Sequence, residues 1–292
     1  MSYTSANEVK SSFESLYNAP TPHAYFDEMH RLGYEIGQQD KPYFRAAAAL
    51  LLRQLGSSGK VRLLDLGCSY GVGSALSNYD FSFTELADFF SERASEDYAQ
   101  CVSETRALIA SEGADPLLDY AGADSSEQAI RFATETGLIG GGIAKNLEQD
   151  DQLSAQDSAI LKHCNLLTST GAIGYVGKKT LTPFLELLGK GQDLSHGPYA
   201  VVTILRMFDP EPIARTFAES GYKFVQVPGV RLRQRAFDGA QESDETLGLL
   251  QDRGVDSEGW ESEGHLYADL FAAAPESDLG DLVDCLRQVN GE

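Results

Sequence analysis

The chain has 292 residues, 42 % apolar and 23 % charged, an ordinary globular composition that excludes a mainly disordered protein and suffices for a large buried core. Its 23 Lys and Arg against 44 Asp and Glu give a net charge of −21, which repels phosphate backbones and anionic headgroups and argues against nucleic acid or a membrane surface as partner. No apolar run approaches the roughly 18 to 20 residues that cross a bilayer, and the first residues lack a charged-then-apolar signal, so a cytoplasmic chain is expected.

Three helical segments are expected before the first strand: Ser5 to Tyr17, a second after the break at Pro20 and Pro22, and the apolar run KPYFRAAAALLLRQLG, stopped at Gly56. Tyr17, His23, Tyr25, Phe26, His30 and Tyr34 crowd this stretch. Aromatic helices outside a core often close over a ligand, so residues 1–56 are expected to form a helical cap, with Tyr17, Tyr25 and Phe26 as candidates to face that ligand.

Val61–Leu66 is short, apolar and delivered into a glycine-rich turn, as a buried parallel strand is. The long connection that follows, residues 74–116, carries a helical pattern and predicts a helical insert at about 80–113. Further strands are expected at Leu118 to Ala123, Gly142 to Lys145, Asn165 to Ser169, Tyr199 to Leu205, Tyr222 to Val227 and Leu266 to Ala273. Helical patterns ending at glycine lie between most of them, in SEQAIRFATETG, KTLTPFLELLGKG and EPIARTFAESG. This alternation predicts an α/β fold, a doubly wound, mainly parallel seven-stranded sheet with helices on both faces, occupying residues 57–292 as one domain. The final 70 residues read only as a closing strand pair. The cluster VRLRQRA at 230–236 reads as the solvated face of a strand, and Cys68, Cys101, Cys164 and Cys285 lack the paired spacing of a zinc site or disulfide framework, so no metal is expected.

The segment LLDLGCSYGVGS, residues 63–74, carries most of the chemistry. Its small residues let backbone approach a ligand, and the start of the following helix predicts a carboxylated or phosphorylated group on the turn. Gly67, Gly71 and Gly73 are spaced by four and two, which does not fit the dinucleotide fingerprint G-x-G-x-x-G. An acid at the end of the second strand suits a ribose diol, and Asp124 stands there, in AGADSSEQAIRFA.

Read as D-x-G-C-S-x-G-x-G, the first segment resembles the first motif of class I S-adenosylmethionine-dependent methyltransferases, and the second is similar to that family's G-x-D-x-S-x-x-A-I-x-x-A pattern. The resemblance covers about residues 45–220. It implies a Rossmann-like fold, with Asp65, Gly67, Cys68, Ser69 and Gly71 against S-adenosylmethionine and Asp124 and Ser125 at its ribose. It further implies Asn146 and Leu147 at the adenine, and Ser169 and Thr170 near the methionine part. Tyr175 would stand at the reacting centre, its ring attracting the sulfonium; as a residue alone it reads equally as a packing aromatic. Where many small-molecule members have a histidine, this chain has Gly174, and His163 and His196 read as structural, so no general base is marked.

The activity implied is methyl transfer from S-adenosylmethionine to a small molecule, leaving S-adenosylhomocysteine. A second possibility on the same fold is cyclisation of the ligand's own aminobutyrate arm to azetidine-2-carboxylic acid with release of methylthioadenosine. A small-molecule substrate is the expected partner, and the oligomeric state stays open.

Overall fold

The computed structural model describes residues 14–56, 60–192 and 195–291. Strands β1 (Val61–Leu66), β2 (Leu118–Asp124), β3 (Gly141–Ala144), β4 (Leu166–Ser169), β5 (Tyr199–Leu205), β6 (Lys223–Ala236) and β7 (His265–Ala274) form one sheet in the order β3-β2-β1-β4-β5-β7-β6. The first five are parallel, and β7 runs antiparallel to both β5 and β6. The expected doubly wound, mainly parallel sheet is present.

Alternation along β1 divides the core. Val61 and Leu63 face one side of the sheet, where α3 (Ile36–Leu55), α7 (Glu127–Thr136) and α12 (Leu279–Arg287) lie. Leu64 and Leu66 face the other, under α8 (Ala155–His163), α9 (Lys178–Leu187) and α10 (Glu211–Glu219). In α3, Ile36, Phe44, Ala47, Ala48 and Leu51 recur at helical spacing and bury a stripe against the sheet, so residues 36–55 belong to the sheet's own helical layer.

The helices that reach over the loops are α1 (Glu14–Tyr17) and α2 (His23–Arg31). They share a third apolar core with α4 (Val72–Ser77) and the insert helices α5 (Phe83–Ser91) and α6 (Tyr98–Glu112). The insert is helical as expected, with Ser82 and Glu85 forming a reciprocal cap at the start of α5 and Asp97 capping α6. Of the expected helix at Ser5 to Tyr17, residues 5–13 lie outside the described residues.

Two expectations about the C-terminal part need correction. β6 does not stop at Val227: Pro228 and Gly229 mark a bulge, after which Arg231 to Ala236 resume pairing with β7, as proline permits on an edge strand. The VRLRQRA arginines are not a solvated face. Arg231 pairs with Asp269, Arg233 with Glu35, and Arg235 grips Glu242 through two bonds of 2.7 and 2.8 Å in a buried pair. The far end of β6 also holds the connection from α2 to α3, since Ala236 N–H donates to Leu32 O and Glu35 N–H to Gln234 O, both at 2.8 Å. The last residues add α11 (Ala240–Asp252) as well as α12, beyond a closing strand pair.

The cap is anchored from below by Tyr70, in the loop after β1, whose hydroxyl donates to the carbonyls of Leu16 (2.7 Å) and Ala19 (2.9 Å). Tyr70→Phe is expected to loosen residues 14–20 by about 1 kcal/mol and speed their amide exchange while β1 to β5 keep their protection. Unchanged exchange in that segment would show that ring packing alone holds α1.

Candidate functional site

The strand order turns between β1 and β4, which opens a crevice at the carboxyl ends of these neighbouring strands. Three loops converge there, after β1, β2 and β4.

In the first, Gly67 takes φ +80° and its N–H donates to Ala123 O at 2.8 Å. A Cβ on Gly67 would overlap that of Ala172, so any side chain wedges apart the loops after β1 and β4. Ser69 also has positive φ, +49°, an unfavourable conformation for a residue with a Cβ. Asp124 sustains it. One carboxylate oxygen accepts the Ser69 N–H and the other the Ser126 N–H, each at 3.0 Å. The hydroxyl of Ser69, a residue only 5 % exposed, has no hydrogen-bond partner among the described residues. An unpaired buried hydroxyl costs on the order of 1–3 kcal/mol, so this atom is suited to a ligand group.

Several expected contacts turn inward instead. The Cys68 side chain packs on Gly122 in the core, and Leu147 is buried on the opposite face. Gly71 is used for close packing, since a Cβ there would stand 3.0 Å from Leu138 and 3.2 Å from Ala133. Ser169 is fully buried and donates its hydroxyl to Leu66 O at 2.7 Å, tying β4 to β1. Phe26 stacks on Phe90 at 4.7 Å, so its ring faces the insert and not the crevice. Tyr25 is buried between Tyr17 and Tyr70, behind the surface that Tyr17 presents.

The electrostatics of the crevice are set by acids. α4 has only six residues, and the groups gathered at the loop are carboxylates. Asp65, 4 % exposed at the end of β1, is pushed up to about 7, first by burial and then by Asp124. Beyond it lies Asp40, 1 % exposed on α3, which accepts the Thr170 hydroxyl at 2.7 Å. Burial holds its carboxyl well above the usual range, the Thr170 bond works the other way, and Asp65 raises it further. Asp40 escaped the sequence reading. Its signal was an acid four residues from both Ile36 and Phe44, in the middle of an otherwise apolar stripe.

Tyr175 ends a short turn of helix, Ile173–Tyr175, and packs edge-on against Phe208 with ring centroids 4.7 Å apart. The Phe208 ring fills the place where a side chain on Gly174 would stand, which is why no histidine fits there. Burial raises the Tyr175 hydroxyl well above its ordinary value, and Tyr17 and the Arg235–Glu242 pair are its electrostatic neighbours. Ser125 is exposed beside Asp124, and Asn146 follows β3 with its N–H on Asp151. His163 precedes β4 and His196 precedes β5, at the opposite, amino edge of the sheet. Among the described residues no cluster of His, Cys, Asp or Glu is arranged to hold a metal ion.

No protein-family model and no curated protein matches the chain. Solved structures resemble it. A TehB-like SAM-dependent methyltransferase from Corynebacterium glutamicum is 14 % identical over 79 % of this chain and 86 % of its own, with a TM-score of 0.36. Magnesium protoporphyrin IX methyltransferase from Synechocystis, crystallised with bound SAH, is 10 % identical over 91 % and 99 %, with a TM-score of 0.39. The cyclase SpnF is 14 % identical over 80 % of each chain, with a TM-score of 0.36. The chain has a doubly wound, Rossmann-like fold, as its own strand order shows. Similarities this low say nothing about the reaction, which has to be argued from the crevice.

The Asp65 carboxyl gives a pH test. Its folded value, about 7, lies above the model-peptide value of 3.8, so between these limits the folded state holds a proton that the unfolded chain has released. Its contribution to stability is complete below about 3.8 and lost as pH rises through about 7. Asp65→Asn is therefore expected to gain thermal stability relative to wild type as pH is raised across this window in the absence of ligand. A difference that does not change with pH would show that Asp65 is ionised throughout.

Proposed function

We propose that the crevice binds S-adenosylmethionine and that the chain transfers its methyl group to a small-molecule acceptor. The observation that carries this reading is the set of acids at these loops, Asp124 on Ser69, Asp65 against Gly73 and Asp40 on Thr170, with no Lys or Arg among the groups that shift the two buried acids. The pyrophosphate of a nicotinamide dinucleotide would find no Lys or Arg among the groups that shift these acids and would oppose their ionisation, whereas a cation favours it. S-adenosylmethionine brings a ribose diol and a net positive charge. When bound it supplies an electrophilic methyl on a positively charged sulfur.

The chain's residues then bind, orient and exclude water. Each Asp124 oxygen accepts one backbone N–H and retains a lone pair for a ribose hydroxyl, with Ser125 alongside. Gly67 allows backbone approach, the Ser69 hydroxyl gains its missing partner, and Asn146 offers a carboxamide to the adenine edge. Thr170 and Tyr175 would stand toward the reacting end, with Tyr17 of the cap an electrostatic neighbour of Tyr175. With His163 and His196 at the far edge, neither is placed to take a proton from the acceptor, and one that is already ionised or weakly protonated suits the site.

The packing at Phe208 favours keeping a second reaction in view. Its ring takes the place of a side chain on Gly174 and packs against Tyr175, and a reacting end closed in this way would suit an intramolecular reaction of the bound ligand to azetidine-2-carboxylic acid and methylthioadenosine.

Calorimetry with S-adenosylhomocysteine tests the site: Asp124→Ala is expected to lose about 1.5–3 kcal/mol of binding with circular dichroism unchanged. Equal affinity in a folded variant would remove Asp124 from the site. Incubation with S-adenosylmethionine alone, read by mass spectrometry, separates the reactions. Methyl transfer predicts no methylthioadenosine above the uncatalysed background, and its accumulation would establish the cyclase or a lyase. Tyr175→Phe should be mild and Tyr175→Ala severe in turnover if the ring is what matters. Comparable losses in both variants would assign the role to the hydroxyl.

A further inference from the structure

We propose that Asp40, brought into the crevice by α3, is the countercharge that makes this site favour a cationic ligand over its neutral counterpart; the proposal rests on the S-adenosylmethionine reading above. The buried acids of the described residues set Asp40 apart. Glu242 pairs with Arg235 and Glu261 with Arg206, while Asp278 holds the Gly197 N–H at 2.8 Å and faces His196. Asp157 accepts the Ser154 N–H at 2.8 Å at the start of α8. Asp40 and Asp65 have neither a cation nor a backbone N–H among their recorded partners, and Asp40 has the Thr170 hydroxyl alone.

Holding Thr170 does not require an acid, because an Asn or a main-chain carbonyl would accept that hydroxyl as well. An apolar residue would fit the stripe between Ile36 and Phe44 at less desolvation penalty. The charge itself therefore needs a reason. A second observation points to a ligand between these loops: the unpaired, buried Ser69 hydroxyl lies in the loop after β1, which Asp124 holds by its backbone and which meets the Thr170 loop where Gly67 packs on Ala172.

The three acids also have an order. Asp124, at the end of β2, holds Ser69 of the loop after β1; the Asp65 carboxylate, on β1, abuts Gly73 of the same segment; and Asp40, on α3, holds Thr170 of the loop after β4, so the row runs from β2 past β1 to α3. A ligand with hydroxyls at one end and a positive charge at the other matches that row, its diol on Asp124 and its cation toward Asp40. Tyr34 and Tyr120 each interact electrostatically with both acids, and Arg45, on the same helix as Asp40, acts on Tyr120 while it donates to Ser77 O and is not among the groups that shift Asp40 or Asp65.

S-adenosylmethionine and S-adenosylhomocysteine differ by one methyl and one charge, which makes them the probes. Calorimetry on Asp40→Asn is expected to show S-adenosylmethionine weakened about tenfold or more and S-adenosylhomocysteine by no more than about threefold. Equal weakening of both, or no weakening, overturns the proposal and leaves Asp40 as a support for Thr170. A measurement on wild type covers the case in which the variant does not fold: titrations near pH 6.5 in two buffers of different ionisation heat. More protons should be released with S-adenosylmethionine than with S-adenosylhomocysteine, because a cation drives buried carboxyls to ionise. Equal release overturns the proposal. Failure of wild type to bind either compound instead overturns the functional reading on which it rests.

Discussion

Charge without countercharge is the constraint on which this molecule turns. Asp124 spends its two oxygens on the backbone of two loops, yet Asp65 on β1 and Asp40 on α3 are buried with no ion-pair partner among the described residues. A globular protein usually resolves such a position by pairing the acid, as this one does at Arg235–Glu242 and Arg206–Glu261. Leaving two acids unresolved at the carboxyl end of β1 is a local loss of stability set into a well-packed sheet, a pattern that concentrates where a fold meets its ligand.

The sheet was legible because its strands are written in apolar residues bounded by turns. Val61–Leu66 and Tyr199–Leu205 could be read to the residue, since each is buried on both faces and stops abruptly. β6 was not, because Pro228 and Gly229 carry the ordinary signature of a strand's end, and only pairing with β7 shows that the ladder resumes. The arginines beyond them looked solvated for the same reason: their carboxylate partners, Asp269, Glu35 and Glu242, come from three other parts of the chain.

The site was legible in its backbone and less so in its side chains. Spacing located Gly67, Ser69 and Asp124, whose roles follow from dihedrals and loop closure. It could not tell a side chain that faces the crevice from one that faces the sheet. Ser169 and Cys68 turn inward because strand alternation and the Gly122 surface direct them there, and Phe26 because the insert offers it Phe83 and Phe90. Asp40 required knowledge of which face of α3 is covered, which depends on a sheet assembled from residues far along the chain.

The stitching of the α2–α3 connection to β6 has a consequence for the molecule among its own copies. A fourteen-residue strand at the edge of a sheet is a template on which another chain's strand can add. Here the bulge at Pro228 and Gly229 breaks that template midway, and beyond it Leu32 and Glu35 already occupy the backbone groups of Ala236 and Gln234. The segment that brings the cap to its place thus also closes part of the sheet's open margin, so that the same few hydrogen bonds both seat the helices over the loops and leave less bare edge for another chain's strand.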